Sequence, residues 1–266
     1  MQAKRNVPVA ITIATSDSGG GAGIQADLKA FAACGVHGTS AIVALTAQNT
    51  HEVVSIETLP RQFILDQVRA VAEDIGVDAV KIGMLFDTPT IEAAAEALDL
   101  VGGAPIVLDP VMVAESGAVL LREDAKRTLV ELILPRAAVV TPNAAEAREL
   151  TGLGEEAVPE DLARAVRDLG ASAAVVTGGH LDGADRYFDG ETLERIEGPR
   201  HPDGASHGSG CTHSSALAAR LALGDSPLEA AREARRIAAE AVGSGLRELG
   251  SGAGPVDVLA AVRRGG

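Results

Sequence analysis

The sequence predicts an α/β fold in which helices cover both faces of a mostly parallel sheet. Short apolar runs of strand length alternate with helical patterns along nearly all 266 residues. The first run, Val7–Ala14, is almost continuously apolar, which is typical of a strand buried on both faces. Polar and glycine residues cluster just after the strand ends. Ligands of open parallel sheets bind beyond the carboxyl ends of the strands, so we expect one composite pocket there.

The elements of the first half follow from local patterns. Ile64, Val68 and Val71 recur at helical spacing, and Gly76 stands where a C-terminal cap would lie. The expected strands are Val7–Ala14, Thr39–Thr46, Val53–Thr58, Asp78–Ile82 and Pro105–Leu108. The expected helices are Ile24–Cys34, Arg61–Ile75 and Thr88–Leu98.

The second half continues the alternation and adds a small β-hairpin around Asp189-Gly190. Ser226-Pro-Leu-Glu229 combines a capping box with proline at the first helical position, which predicts a helix start. The expected strands are Ala137–Val140, Ala173–Val176, Tyr187–Phe188 and Thr192–Ile196. Helices are expected at Glu123–Ile133, Glu146–Leu150, from Pro159, at Cys211–Leu223, from Ser226 to Val242, and after Pro255.

Composition limits the classes of function. At 46% hydrophobic, the chain can bury a full core and is expected to form one domain, residues 1–266. A formal charge of −14 and 2% aromatic residues make nucleic acid an unsuitable partner. No apolar run is long enough to cross a bilayer, so we expect a cytoplasmic protein without membrane contact. Two cysteines do not form a disulfide framework.

The most informative segment is the glycine-rich run Asp203–Arg220, in which Cys211 opens a helix of small residues. A glycine-rich turn before a helix presents free N–H groups and a positive dipole end, which suits phosphate. The same field predicts a lowered pKa for a thiol in the first turn. The alternative is a flexible loop with a buried cysteine.

Three motif matches are set aside. Gly21–Ala26 fits the dinucleotide pattern G-x-G-x-x-A, but no acidic residue closes a second strand about 20 positions later. A phosphate-binding P-loop is excluded because the chain contains no Gly-Lys pair. Gly204–Gly208 matches the nucleophile elbow G-x-S-x-G at Ser206, yet no strand precedes it and no histidine follows Asp225.

Acidic residues near strand ends suggest a magnesium site. Asp109 directly follows a strand, and Glu146 lies three residues after Asn143. Carboxylate oxygens suit Mg²⁺, although helix capping by Asn143 and ordinary surface acidity explain them equally well. Asp27 lies one turn into the expected helix Ile24–Cys34, where its side chain either faces the pocket or caps the helix.

The two histidines of the glycine-rich run carry less information. Cys211 and His213 are too few and too close for a zinc site. We expect His207 and His213 to shape the loop or to face solvent.

Seven segments, taken together and in order, resemble the hydroxymethylpyrimidine/phosphomethylpyrimidine kinases of thiamine biosynthesis, which are ribokinase-like enzymes. The resemblance covers nearly the whole chain and implies a three-layer α/β/α sandwich. The segments are Ser16–Asp27, Thr46–Thr50, Lys81–Met84, Leu108–Met112, Thr141–Glu146, Gly178–His180 and His207–Thr212.

The resemblance also implies an activity and a set of site residues. The family transfers phosphate from MgATP to a pyrimidine hydroxymethyl group and then to the monophosphate, commonly as a homodimer. Cys211 then corresponds to the base, and Gly208, Ser209 and Gly210 to the turn that holds the transferring phosphoryl group. The implied substrate contacts are Gln48, Asp27, Met84, Val111 and Thr15. The implied nucleotide and metal contacts are Asn143, Glu146, Asp109, Thr177 and Gly179.

Four positions depart from the family pattern. Thr15 stands where glycine is frequent, Glu115 and Thr177 where lysine is common, and His213 where an apolar residue is usual. A cationic phosphate contact from residues 115 and 177 is therefore missing, which bears on the second phosphorylation step. Two alternatives stay open: a pyridoxal- or pyridoxine-type kinase on the same fold, and a non-catalytic pyrimidine-binding regulatory module.

Overall fold

The computed structural model describes residues 5–114, 117–179, 182–260 and 263. Within this part of the chain, nine strands form one sheet in the order β3-β2-β1-β4-β5-β6-β7-β8-β9. The strands are β1 (Val9–Asp17), β2 (His37–Gln48), β3 (Val53–Thr58), β4 (Ala79–Ile82), β5 (Ile106–Leu108), β6 (Val139–Val140), β7 (Ala173–Val176), β8 (Asp185–Phe188) and β9 (Leu193–Ile196).

Six neighbouring strands, from β2 through β1, β4, β5 and β6 to β7, run parallel. The outer strands β3, β8 and β9 pair antiparallel to their neighbours. β8 and β9 form the predicted hairpin around Asp189-Gly190. Because the parallel strands end at the same edge, the loops that follow them meet there.

Helices cover both faces of the sheet, and each face has its own hydrophobic core. One core takes side chains from α2 to α6, and the other takes them from α1, α7 and α8. The predicted three-layer α/β/α sandwich is therefore confirmed. The helices are α1 (Gly23–Ala33), α2 (Arg61–Asp74), α3 (Thr88–Ala97), α4 (Lys126–Leu132), α5 (Ala144–Thr151), α6 (Pro159–Asp168), α7 (Ser209–Ala222) and α8 (Pro227–Gly243).

Local sequence signals explain most helix boundaries. Ser226 and Glu229 form the predicted capping box at the start of α8. The expected helix Glu123–Ile133 is instead divided into a 3₁₀ turn, Glu123–Ala125, followed by α4. Of the helix expected after Pro255, Ala260 and Arg263 are helical, whereas residues 261, 262 and 264–266 lie outside the described residues. None of the described helices is long and apolar enough to cross a membrane.

The first strand is longer than predicted, and this matters for the site. β1 continues beyond Ala14 to Asp17, with a register shift between Ala14 and Ser16, and Asp17 pairs with Thr46 of β2. A bulge of this kind redirects side chains at a strand end. Thr15 and Asp17 thereby reach the edge where the ligand-binding loops gather.

Candidate active site

A cleft of about 500 Å³ lies at the carboxyl ends of the parallel strands. Its walls come from the ends of β1, β2 and β4, the turns after β5, β6 and β7, and the start of α7. Most of the predicted site residues line it together. They are Thr15, Gln48, Met84, Asp109, Val111, Asn143, Glu146, Thr177, Gly208, Ser209, Gly210 and Cys211.

The glycine turn before α7 forms one wall of the cleft. Gly208 is the N-cap residue at φ 80°, and no side chain caps the helix there. A Cβ atom at Gly208 would lie 1.9 Å from the carbonyl oxygen of Gly21, so only glycine fits. The amide of Ser209 donates to the carbonyl of Ser206 at 2.9 Å. The next N–H groups, of Gly210 and Cys211, are those that a helix start leaves for an anion.

Cys211 lies in the first turn of α7, as predicted, but the expected lowering of its pKa is wrong. Burial raises the pKa of Cys211 to about 12, and the charges of Asp109 and Asp27 add to this. Lys81 and a hydrogen bond from the amide of Gly23 act in the opposite direction without overcoming burial. The free thiol is therefore protonated at neutral pH.

Lys81, in the central strand β4, is a buried cation at the base of the cleft. Its side chain is fully buried, and its Nζ lies 2.9 and 3.1 Å from the two carboxylate oxygens of Asp27. Asp109 Oδ2 is 3.9 Å away. Burial alone would lower the pKa of Lys81, but attraction to Asp27 and Asp109 outweighs it, and the pKa is raised. Lys81 therefore remains charged.

Asp27 is placed differently from both expectations. It neither lines the cleft nor caps α1, whose N-cap residue is Ala22. Its fully buried carboxylate accepts hydrogen bonds from Thr12 and Ser215, each at 2.6 Å, as well as from Lys81. The physical reason is that α1 turns this side toward β4 and α7. Asp27 therefore supports Lys81 from beneath the cleft, rather than facing the space a substrate would occupy.

Asp109, Glu146 and Asn143 form an acidic corner of the cleft. Asn143 and Glu146 cap α5 reciprocally, each backbone N–H donating to the other's side chain at 2.9 Å. Glu146 also accepts from the amide of Met112 at 3.3 Å. Burial, together with Asp109, raises the pKa of Glu146 to about 8. Two buried acids that interact electrostatically favour a nearby cation.

The loop Asp17–Gly23 packs directly against the glycine turn. Asp17 Oδ1 accepts from Gly19 at 2.7 Å, and Oδ2 accepts from Gly21 and Ala22 at 2.9 and 2.8 Å. His207 Nε2 approaches Asp17 Oδ2 at 3.5 Å. Burial would raise the pKa of Asp17, but His207 and the three amides lower it below 3.8. Asp17 thus joins the two loops that enclose Cys211.

Replacing Asp17 with asparagine should destabilise the protein by about 1–2 kcal/mol at pH 7, because charge-assisted hydrogen bonds are lost. A lowered pKa gives stability above the unfolded value of 3.8 that disappears as pH falls through the folded pKa. The difference between wild type and variant should therefore shrink below about pH 4. Urea unfolding from pH 7 to pH 3 measures it. Asp66→Asn, at an exposed ion pair, is the matched control; a pH-independent difference would contradict this assignment.

A second cavity of about 410 Å³ adjoins the cleft. Asn143, Thr177, Ser206, Ser209 and Gly210 line both, so the two spaces meet at the glycine turn. One wall is apolar and comes from two prolines and α8, namely Pro199, Pro202, Ala238, Ala239 and Val242. The predicted residue Gly179 lies here rather than in the cleft.

Sequence reasoning missed Lys81 and Asp17 as site residues. A lysine inside an otherwise apolar central strand was an available signal, because a buried charge needs a partner. His213 was expected to shape the loop or face solvent, and it is buried. Glu115 and His180 lie outside the described residues.

Comparison with known proteins agrees with this geometry. A family model described as phosphomethylpyrimidine kinase matches residues 17–257. The chain is 48% identical over 255 residues to a hydroxymethylpyrimidine/phosphomethylpyrimidine kinase of Rhizobium meliloti (strain 1021), covering 93% of this chain and 96% of the relative.

Two of the solved structures that resemble it illustrate the similarity. One is the Staphylococcus aureus pyridoxal kinase in complex with AMP-PCP and pyridoxal, with TM-score 0.87, 34% identity, and coverage of 97% and 96%. The other is a phosphomethylpyrimidine kinase from Clostridium difficile 630, with TM-score 0.76, 39% identity, and coverage of 86% and 96%. With its matching sequence, ribokinase-like fold and cleft, the chain belongs to the phosphomethylpyrimidine kinase family.

Proposed function

We propose that this chain transfers phosphate from ATP to the hydroxymethyl group of 4-amino-5-hydroxymethyl-2-methylpyrimidine, and then to the resulting monophosphate, in thiamine biosynthesis. One observation carries the proposal: a cleft lined by Gln48 and apolar side chains opens onto Cys211 at an uncapped helix start, where a second cavity joins it. An acceptor alcohol and a donor phosphate can meet only at such a junction.

The cleft side suits an aminopyrimidine. Thr46 donates to the Gln48 side-chain oxygen at 3.1 Å and so orients the amide. An amide offers both a donor and an acceptor to the edge of an aminopyrimidine ring. Met84 and Val111 supply apolar walls, and Thr15 fixes the turn that carries Met84 by donating to its carbonyl at 3.1 Å. We assign these four residues to substrate binding.

The second cavity suits the nucleotide. Its apolar wall can pack against a purine ring, Thr177 lines both spaces at the glycine turn, and Gly179 lines the second cavity. A Cβ atom at Gly179 or Gly210 would meet nothing within 4 Å, so both glycines border open space. We assign Asn143, Thr177 and Gly179 to nucleotide binding. The complex of the related S. aureus kinase with an ATP analogue supports this use.

Mg²⁺ fits the acidic corner. Asp109 and Glu146 offer oxygen ligands, the donors that this ion prefers. Among the described residues, no group of three or more His, Cys, Asp or Glu side chains could hold a metal alone. Two carboxylates completed by nucleotide phosphates and water are the common pattern for Mg²⁺ in kinases. When bound, the ion would neutralise charge on the phosphates.

Different residues of the chain have different roles in the phosphoryl transfer. The amides of Gly210 and Cys211 hold the transferring phosphoryl group, with Gly208 and Ser209 shaping their turn. Lys81 places one positive charge beneath the acceptor hydroxyl. Cys211, once deprotonated to the thiolate, is the group positioned to take the hydroxyl proton as the oxygen attacks. Phosphoryl transfer depends mainly on positioning and charge stabilisation, and these residues supply the protein's share of both.

The test is phosphorylation of the hydroxymethyl substrate and of its monophosphate, each with and without Mg²⁺. We expect ATP- and Mg²⁺-dependent product from both. Product from the first substrate alone would show that the enzyme carries out only one step. That result would agree with the threonine at position 177, where lysine is common in the family. No product from either would refute the proposal and favour a non-catalytic regulatory module.

A pyridoxal-type kinase is the second candidate, because pyridoxal kinases are among the similar structures, at 34% identity. The curated relatives at 40–48% identity over most of the chain include hydroxymethylpyrimidine/phosphomethylpyrimidine kinases, which favours the pyrimidine. Comparing kcat/KM for the aminopyrimidine with kcat/KM for pyridoxal and pyridoxine decides between them. A higher value for either B6 compound would reverse the assignment.

We further propose that residues 1–266 act as one kinase domain in a cytoplasmic homodimer. The free thiols Cys34 and Cys211 suit a reducing compartment. Leu45 and Val54 are exposed by 44% and 65% on the β2–β3 edge of the sheet and offer an apolar contact between subunits. A monomeric mass in light scattering would reject the dimer.

A further inference from the structure

Three polar side chains form a cluster in the wall of the second cavity: Asp185 and His213, which are buried, and Arg235, which is partly buried. Asp185 Oδ2 is 3.1 Å from His213 Nε2, and Asp185 Oδ1 is 3.7 Å from Arg235 Nε. Asp185 is 2% exposed and His213 is 4% exposed. The three residues come from β8, α7 and α8, and all three line the cavity.

The cluster lowers the stability of the fold. Within the described residues, Asp185 Oδ2, both ring nitrogens of His213 and Arg235 Nε are buried without an aligned hydrogen bond. A polar atom buried in this way destabilises the fold, and an apolar side chain at position 213 would avoid that loss. Packing alone therefore does not account for the histidine.

The cluster instead fixes a turn of the cavity. Asp185 Oδ1 accepts a hydrogen bond from the amide of Gly178 at 2.9 Å. A Cβ atom at Gly178 would lie 2.0 Å from the carbonyl oxygen of Ala184, so this turn is packed tightly against the start of β8. His213 follows Cys211 by two residues on α7. The cluster thus connects the turn after β7 to the helix that carries the glycine turn.

The charge of the cavity indicates the ligand class. Arg200, His201, His213 and Arg235 line it, and Asp185 is the only acidic residue among its described lining residues. The chain as a whole carries a formal charge of −14. A basic cavity in so acidic a protein favours an anionic ligand.

We propose that Asp185, His213 and Arg235 are positioning residues that hold the turn Thr177–Gly179 against the sugar–phosphate part of a nucleoside triphosphate. The proposal rests on the assignment of this cavity to ATP. Nucleotide affinity then depends on this cluster as well as on the glycine turn. The contact with His213 fixes the Asp185 carboxylate, which accepts a hydrogen bond from the amide of Gly178. The turn Thr177–Gly179 is thereby positioned against the phosphates.

The first test is His213→Leu, with His37→Leu as the matched control at the exposed start of β2. We expect KM for ATP to rise about tenfold, while KM for the pyrimidine stays within about twofold. The melting temperature should stay unchanged or rise, since leucine replaces a buried imidazole whose ring nitrogens make no aligned hydrogen bond. A purely structural role predicts a lower melting temperature and equal effects on both KM values, which would overturn the proposal.

Calorimetry with ATP alone separates this inference from the proposed function. Weaker ATP binding to His213→Leu supports the cluster whatever acceptor the enzyme uses, whereas unchanged binding refutes it even if the pyrimidine is phosphorylated. Asp185→Asn gives an independent variant should leucine impair folding. An amide still accepts from Gly178 but has no charge for His213 and Arg235, and we expect ATP affinity to fall about tenfold there as well. Unchanged affinity in that variant would also refute the proposal.

Discussion

Replacing Cys211 with alanine is expected to lower turnover by at least about 10²-fold while ATP still binds, because a positioned proton acceptor contributes about 10²–10⁴-fold. The sulfur lines the cleft at the first turn of α7 and accepts a hydrogen bond from Gly23, the first residue of α1. Alanine removes that acceptor. The amides that hold the phosphoryl group stay in place, so nucleotide affinity should change little.

The raised pKa makes this experiment more informative. With a pKa of about 12 in the free protein, the thiol must first lose its own proton before it can accept another. Lys81 favours the thiolate, whereas Asp109 and Asp27 oppose it. Neutralisation of Asp109 during catalysis would therefore favour the charged sulfur, and loss of Lys81 would disfavour it.

Steady-state rates and calorimetry with ATP measure the effect of Cys211→Ala. Cys34→Ala is the matched control, because Cys34 follows α1 at its C-terminal end. Serine at position 211 distinguishes the roles: a hydroxyl has a much higher pKa than a thiol, so Cys211→Ser should be nearly as slow as alanine if the sulfur takes the proton. A near-normal rate in either variant would reduce Cys211 to a spacer of the glycine turn.

The arrangement of strands and helices could be predicted because it depends on local patterns. Buried strands such as Ala79–Ile82 and capped helices such as Pro227–Gly243 carry their signals within a few residues. Most of the cleft could be predicted as well, since residues after parallel strands share one edge. That rule alone placed Asp109, Asn143 and Thr177 together, whereas Gln48 followed only from the resemblance to the kinase family.

What could not be predicted depends on contacts between distant residues or on opposing effects of similar size. Asp27 and Lys81 are 54 positions apart, and only the packing of α1 on β4 brings them together. For Cys211, the helix field and burial act in opposite directions, and the outcome depends on how deeply the walls enclose the sulfur. The sequence specifies neither the distance between Asp27 and Lys81 nor the degree to which the Cys211 sulfur is buried.

Replacing Lys81 with methionine is expected to lower the free energy of unfolding by about 3–5 kcal/mol, a large part of the total stability of a typical domain. Methionine fills similar space but removes the ammonium that lies 2.9 Å from Asp27 and 3.9 Å from Asp109. Two buried carboxylates are then left without their cation, which is the costly way to break a buried ion pair. Urea unfolding measures the loss.

Adding Asp27→Asn to Lys81→Met separates stability from catalysis. Asparagine can still accept from Thr12 and Ser215 but leaves no unpaired charge at position 27, so we expect the double variant to regain part of the lost stability. Turnover should stay low, because the positive charge beneath Cys211 remains absent. If the double variant recovered both stability and turnover, Lys81 would act only through Asp27. If Lys81→Met alone cost less than about 1 kcal/mol, the buried pair would not stabilise the fold as its geometry indicates.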